Sequence, residues 1–173
     1  MTRLSCATSP PAAAHDPARL RQAYGCFPSG VTAVCAIADG QPVGVTASSF
    51  TSVSLEPALV SVCMATASTT WPVLRELPGL GISVLAESQV ATCLALSRKG
   101  GNRFEQVSWR ASESGAVFVA EASLWLDCTL ENEVAAGDHD IAVLRVRSMR
   151  AFPEQAPLVF HRSSFRRLAA KEE

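Results

Sequence analysis

Between Val43 and Met64 the chain reads VGVTASSFTSVSLEPALVSVCM, and six of the residues from Thr46 to Ser54 are Ser or Thr. A turn is made as well by Gly, Asn or Pro, so this density of hydroxyls between apolar flanks asks for a second reason. Each hydroxyl both donates and accepts. A row of them on a rigid scaffold suits a ligand with several carbonyl, ring-nitrogen and phosphate acceptors, and a flavin has all three. The plainer alternative is an ordinary Ser/Thr-rich hairpin.

Two further groups carry chemistry. Ser68-Thr69-Thr70-Trp71-Pro72 sets hydroxyls ahead of a Pro in a first helical turn. Free N–H groups and the positive end of the helix dipole suit such a place to phosphate, although a plain N-cap has the same composition. Ala136-Gly137-Asp138-His139 puts an imidazole on a turn between two apolar segments. Partly exposed there, it serves either a ligand or only the turn. The familiar catalytic signatures are missing: no GxGxxG follows a strand, and there is no P-loop, GxSxG or HExxH. His15, His139 and His161 show no metal-ligand spacing, and no two cysteines form a CxxC pair.

The elements that must position these groups are mostly strands. Asp16-Pro17 reads as a helix start, with Leu20, Ala23, Tyr24 and Phe27 at helical spacing to pack on a core. Val31 to Ala38 is a buried strand, Asp39-Gly40 a hairpin turn, and the hydroxyl-rich stretch supplies the next two strands. Val73, Leu74 and Leu77 follow on a helix, then Leu80 to Ala86 as a strand. A further helix from Ser88 to Ser97 has Val90, Cys93, Leu94 and Ser97 on one face. Leu124, Leu126, Cys128 and Leu130 alternate with polar or aromatic neighbours, as in a half-buried strand. Ile141 to Val146 and Pro157 to Phe160 complete six or seven strands with three helices and no βαβ alternation. This pattern predicts an antiparallel barrel with helical additions.

Composition narrows the class. At 173 residues, with 48% hydrophobic and 18% charged residues, the chain suits one globular domain. A net charge of −1 argues against nucleic acid as the main partner, and no apolar run reaches the roughly 20 residues that span a bilayer. Residues 1–15 lack the apolar centre of a secretory signal and read as a flexible tail, with the domain in 16–173. Cys35, Cys63, Cys93 and Cys128 sit in apolar runs, as free thiols do in a reduced cytoplasmic protein.

Taken in order, these motifs resemble the short-chain flavin reductases, the reductase components of two-component flavin-dependent monooxygenases. The matching pieces are Cys26-Phe27-Pro28-Ser29-Gly30-Val31, Gly44 through Pro57, Ser68-x-Thr70-x-Pro72, Asn102-Arg103-Phe104, Ala136-Gly137-Asp138-His139 and Phe160-His161-Arg162. The resemblance covers roughly residues 17–168. It implies an FMN-binding split-barrel fold and reduction of FMN or FAD by NADH or NADPH. It also implies a homodimer that hands reduced flavin to a partner monooxygenase. By the same resemblance Thr46, Ala47, Ser48, Ser49 and Ser52 wrap the flavin ring and ribityl chain, with Ser29 nearby. Ser68 and Thr70 lie against the flavin phosphate, and His139 sits by the nicotinamide. Arg103, Phe104 and His161 line the cofactor pocket. The chain departs from the family pattern at Asn102, where Asp is usual, at Val117 and Glu121, where Pro and Gly are usual, and at Phe165, where Tyr is common.

No catalytic triad or paired carboxylates are visible, and hydride transfer between two cofactors needs none, because the protein supplies stacking, orientation and electrostatics. Two other readings share the fold: a flavoprotein acting directly on an organic substrate, and a non-catalytic flavin-binding subunit.

Overall fold

The computed structural model describes residues 16–169, so the expected tail over residues 1–15 lies outside the described residues. In chain order the elements are α1 (Pro17–Tyr24), β1 (Ser29–Gly30), β2 (Thr32–Ala38), β3 (Gln41–Ala47), β4 (Thr51–Leu55), β5 (Ala58–Ala65), α2 (Trp71–Leu74) and β6 (Leu80–Val84). These are followed by α3 (Val90–Leu96), β7 (Trp109–Ala111), β8 (Val117–Val119), β9 (Leu124–Ala136), β10 (His139–Ala151), β11 (Val159–His161) and β12 (Ser164–Arg166). The three helices agree with expectation. Strands exceed the expected six or seven because β1, β7, β8 and β12 are three residues or shorter, too short to show a period of two, and because the hydroxyl-rich stretch itself holds a further short strand, β4.

Seven strands form one antiparallel sheet in the order β3-β2-β6-β9-β10-β5-β4. Its long central pair, β9 and β10, changes register between Val143 and Leu144 and again between Val146 and Ser148. Such irregularities bend strands and raise twist, and the sheet curls until β3 comes within reach of β5. The two edges, β3 and β4, are consecutive in sequence, so Ser48-Ser49-Phe50 bridges the slit of an unclosed barrel. The hairpin expected at Asp39-Gly40 is present, with φ of 48° and 75° at its two residues, as a two-residue primed turn requires.

The continuous apolar run in β2 has a physical cause. Val34 and Ala36 enter the core inside the curl, with Val62, Ile82, Leu126 and Leu144. Ala33 and Cys35 enter a second core, with Leu85, Leu96, Phe104 and Val117. A strand buried on both faces has no polar face to show. Close approach is needed between β6 and β8, where a Cβ on Gly81 would lie 2.1 Å from the Val117 carbonyl oxygen.

Helix α1 corrects one expectation. Its apolar stripe does not pack on the core: Tyr24 is 70% and Phe27 78% exposed. The helix instead turns Ala18, Arg21 and Gln22 toward a cleft, and Leu20 is its only half-buried residue. The helix expected to run on through Leu77 is also shorter, since α2 has four residues.

Candidate functional site

The link between the sheet edges is held by its own hydroxyls. Ser49 Oγ accepts from the Cys63 N–H at 2.8 Å and donates to the Cys63 carbonyl at 3.2 Å. Its one hydroxyl hydrogen is therefore committed to the fold. The Thr46 and Ser97 hydroxyls lie 2.6 Å apart. Ser97 donates to the Cys93 carbonyl at 2.6 Å, so Thr46 is the donor between them and β3 is tied to α3. Ala47 is buried, and its carbonyl accepts from Thr32 Oγ1 at 2.9 Å. Ser48, by contrast, is exposed.

Thr46, Ala47 and Ser48 form the common wall of two clefts. One, of about 280 Å³, is closed by Ser49, Cys63, Ala65, Ser68 and His139. The other, of about 400 Å³, is more apolar, walled by Leu94, Phe160 and Phe165 with Ser97 at its side. This position of Leu94, 54% exposed, differs from the expected helix face: Cys93 and Leu96 are buried, while Leu94 looks onto the cleft. A third cleft of about 230 Å³ lies beyond Gly44, between Thr69, Thr70, Asn102 and Arg103.

His139 opens β10, opposite Ala65 on β5 and Ala136 on β9. Its Nδ1 lies 2.8 Å from Asp138 Oδ1. The hydrogen bond and charge of His139, with a smaller contribution from Arg21, hold the Asp138 carboxyl below the ordinary carboxylate range. A carboxylate only accepts, so Nδ1 carries the hydrogen and Nε2 is left for a ligand.

Ser68 is the residue that caps α2. Its Oγ accepts from the N–H groups of Thr70 at 3.2 Å and Trp71 at 3.1 Å. Those amides are thus occupied, and a phosphate here would meet hydroxyls and a cation instead. The cation is Arg103, whose Nη1 donates to the Gly44 carbonyl at 2.8 Å and to Thr70 Oγ1 at 3.0 Å. Both acceptors are neutral, so the guanidinium charge is not cancelled by them.

Not every expected site residue joins these clefts. Ser29, half-buried on β1, pairs with Phe160, and Ser52 lies exposed on the edge strand β4 opposite Val60. His161 ends β11 opposite Ser164. None of the three lines the clefts described above. Phe104 is 7% exposed and belongs to the second core, beneath Gly44. Its part in the third cleft is to support the wall. Sequence reasoning assigned no role to Leu94, Ser97, Phe160 or Phe165. The only local signal for Phe160 and Phe165 was their place around the Phe-His-Arg motif.

The residues suit a flavin. A flat ring needs an apolar wall and a row of backbone and hydroxyl groups, which Phe160, Phe165 and the Thr46–Ser48 ridge provide. Its phosphate needs a cation and hydroxyls, present in Arg103, Ser68 and Thr70. Residues 24–169 match the flavin reductase like domain. The chain belongs to this family.

Among its relatives is the reductase subunit HsaB of a flavin-dependent monooxygenase from Rhodococcus jostii, 36% identical over 154 residues, or 89% of this chain and 79% of the relative. A probable flavin reductase of Rhizobium meliloti is 39% identical over 132 residues; the match spans 76% of this chain but only 42% of that longer protein. Among solved structures, the NADH:FAD oxidoreductase SgcE6 of Streptomyces globisporus, in complex with NAD and FAD fragments, superposes with a TM-score of 0.87 at 34% identity. The match covers 91% of this chain and 96% of that one. The shared fold is the split barrel. Within this family, two departures of the chain have a structural reading. Asn102 Oδ1 accepts from the Phe104 N–H at 3.0 Å, an acceptor role for which an Asp carboxylate is equally suited. Glu121 has φ of 60°, the left-handed conformation that favours the usual Gly.

Proposed function

We propose that the protein carries a hydride from a nicotinamide nucleotide to a flavin and releases the reduced flavin to a separate monooxygenase. The observation that carries this reading is the shared wall Thr46–Ser48, with His139 in the cleft on one side and an apolar cleft on the other. A flavin, when bound, supplies the hydride-accepting chemistry itself. Ser48 and the backbone of Thr46 to Ser49 orient the ring. Arg103, Ser68 and Thr70 hold the phosphate. His139 positions the nicotinamide through Nε2, with Nδ1 fixed by Asp138. Leu94, Phe160 and Phe165 keep water from one side. Proximity and orientation of two bound rings alone supply several kcal/mol of the acceleration.

The working form is a homodimer. Tyr24 and Phe27, at the end of α1, form an apolar surface that the barrel does not cover, beside a half-buried Leu20. A second copy supplies apolar surface to match it. The domain responsible is residues 16–173.

The test is anaerobic mixing of the purified protein with NADH or NADPH and FMN or FAD in all pairings, following flavin absorbance. Turnover in at least one pairing is expected. A rate no higher than the spontaneous one in every pairing overturns the reading. Light scattering tests assembly, since a flavin-loaded species of 18.3 kDa is a monomer and contradicts the dimer.

A further inference from the structure

In the run from Glu131 to Asp138, Glu133 is the one residue that is not exposed. It sits on β9 opposite Ala142 of β10, in the hairpin whose turn carries His139. A carboxylate taken partly out of water costs free energy unless it is paired, and Glu133 is paired twice. Oε1 accepts from the Trp71 indole N–H, and Oε2 accepts from Arg75 Nη1 at 3.2 Å. Each oxygen therefore meets a different residue of α2 or its C-terminal cap.

Helix α2 needs such a hold. It has four residues, and a helix that short is not stable through its own hydrogen bonds. Trp71 and Arg75 are four positions apart and share one face, so a single side chain grips both. Trp71 is 2% exposed and packs with Leu74 in the core inside the curl. Apolar burial is non-directional, whereas a hydrogen bond to a charged acceptor fixes the indole in one orientation.

What Trp71 fixes is the turn before it. Its backbone N–H donates to Ser68 Oγ at 3.1 Å, next to the Thr70 N–H at 3.2 Å. Thr70 Oγ1 in turn accepts from Arg103, which also donates to the Gly44 carbonyl. The start of the same turn is tied to the same hairpin, because the Thr66 N–H and hydroxyl both donate to the Asp138 carbonyl, at 3.0 and 3.1 Å. Thr66 thus holds one end of the turn and Glu133 the other. Glu133 lines neither the cleft of Thr70 and Arg103 nor that of Ser68 and His139.

We infer that Glu133 is a positioning residue for the flavin phosphate. Through Trp71 and Arg75 it sets the Ser68–Thr70 turn against Arg103, and it touches no ligand itself. A Gln amide offers one accepting oxygen where a carboxylate offers two, so only the acid holds both partners. The inference rests on the proposed function for the phosphate seat at Ser68, Thr70 and Arg103.

The experiment compares FMN with riboflavin, which differ only in the phosphate, by fluorescence titration of the full chain and of Glu133→Ala and Glu133→Gln. Glu133→Ala is expected to raise the Kd for FMN about two- to twelve-fold, the worth of one misplaced hydrogen bond, and to leave that for riboflavin within about two-fold. Glu133→Gln, which keeps one accepting oxygen, should fall between Glu133→Ala and the wild type. A merely structural role lowers Tm and shifts both flavins equally. An unchanged ratio of the two Kd values in Glu133→Ala, an equal loss for both flavins, or tighter FMN binding through the freed Arg75 charge overturns the inference. If the wild type binds FMN no better than riboflavin, the phosphate seat fails and the inference with it. A wild-type preference for FMN that both variants keep removes the inference alone. If the wild type reduces no flavin in any pairing, the hydride-transfer reading fails while the titration still decides Glu133. Should Glu133→Ala not fold, Glu133→Gln, of nearly the same size and shape, decides: an unchanged preference for FMN overturns the inference.

Discussion

Ser49 and Cys63 exchange two hydrogen bonds beside the slit of the barrel, the hydroxyl accepting from the amide at 2.8 Å and donating to the carbonyl at 3.2 Å. One side chain thus anchors the link between the two sheet edges to β5, continuing the β4–β5 pairing past Thr51 and Ser61. Ser49→Ala leaves both Cys63 groups without this partner, and a buried unsatisfied polar group costs about 1–3 kcal/mol. Urea unfolding should show a lower midpoint at unchanged slope. An unaltered midpoint would mean water replaces the hydroxyl at no cost.

Ser48→Ala and His139→Ala should separate the two ligands. The Ser48 hydroxyl is exposed on the wall common to two clefts, whereas His139 lies in one of them. Loss of a hydrogen bond between neutral groups is worth roughly 0.5–1.5 kcal/mol, or about two- to twelve-fold in affinity. Flavin fluorescence titration should show this loss in Ser48→Ala. Stopped-flow reduction should show it, for the nicotinamide nucleotide, in His139→Ala with flavin affinity nearly unchanged. If His139→Ala loses flavin and keeps its nicotinamide dependence, His139 belongs to the flavin.

The thiols should differ sharply in reactivity. Burial pushes Cys35 up to about 12, and burial with the nearby Asp127 charge pushes Cys128 up to about 12. The thiolate is the reactive form, so neither should react with iodoacetamide at pH 8 in the native state. Cys26 is exposed and should be the first of the described cysteines to be alkylated. Mass spectrometry of peptides gives the order, and early labelling of Cys35 contradicts the burial of β2 on both faces.

Gly81→Ala should be among the most damaging single-methyl additions in the chain. The new Cβ would lie 2.1 Å from the Val117 carbonyl oxygen and 2.8 Å from its nitrogen, both backbone atoms that no rotamer change moves. Overpacking costs about 1–3 kcal/mol or more. Thermal unfolding should show a clear drop, and a Tm within error of the wild type would show that β6 and β8 separate freely.

Asp138 ties its small contribution to pH. Its carboxyl is held low in the folded chain by the hydrogen bond and charge of His139. A depressed folded value means that the stabilisation is present above the unfolded carboxylate range and is lost as pH falls through the folded value. Asp138→Asn should therefore differ from the wild type in Tm at neutral pH and match it in strong acid. Asp138 is fully exposed, so the difference is small. A gap that widens in acid reverses the assigned sign.

Much of the barrel was legible because local rules and tertiary packing agree there. Asp39-Gly40 has the residues a primed turn demands, and the alternation through Leu126 and Cys128 marks a strand with one face buried. Helix α1 broke the rule that an apolar stripe faces the core. Periodicity reports that a stripe exists and is silent on which surface covers it, so Tyr24 and Phe27 were assigned inward and lie outward.

The sequence by itself determined the antiparallel class, the hydroxyl-rich stretch and the histidine turn, since each is written in neighbouring residues through propensity and turn chemistry. Only the tertiary structure decided which hydroxyls remain for a ligand. Thr46 donates to Ser97 and Ser49 to Cys63, while Ser68 accepts from two amides and keeps its hydrogen to donate, and Ser48 stays exposed. It also brought Arg103 to Thr70, His139 to Ser48, and Arg21 across from Arg162. The physical reason is that a hydrogen bond and a cleft wall join residues distant in the chain, and their partners follow from how the sheet curls, which no local pattern records.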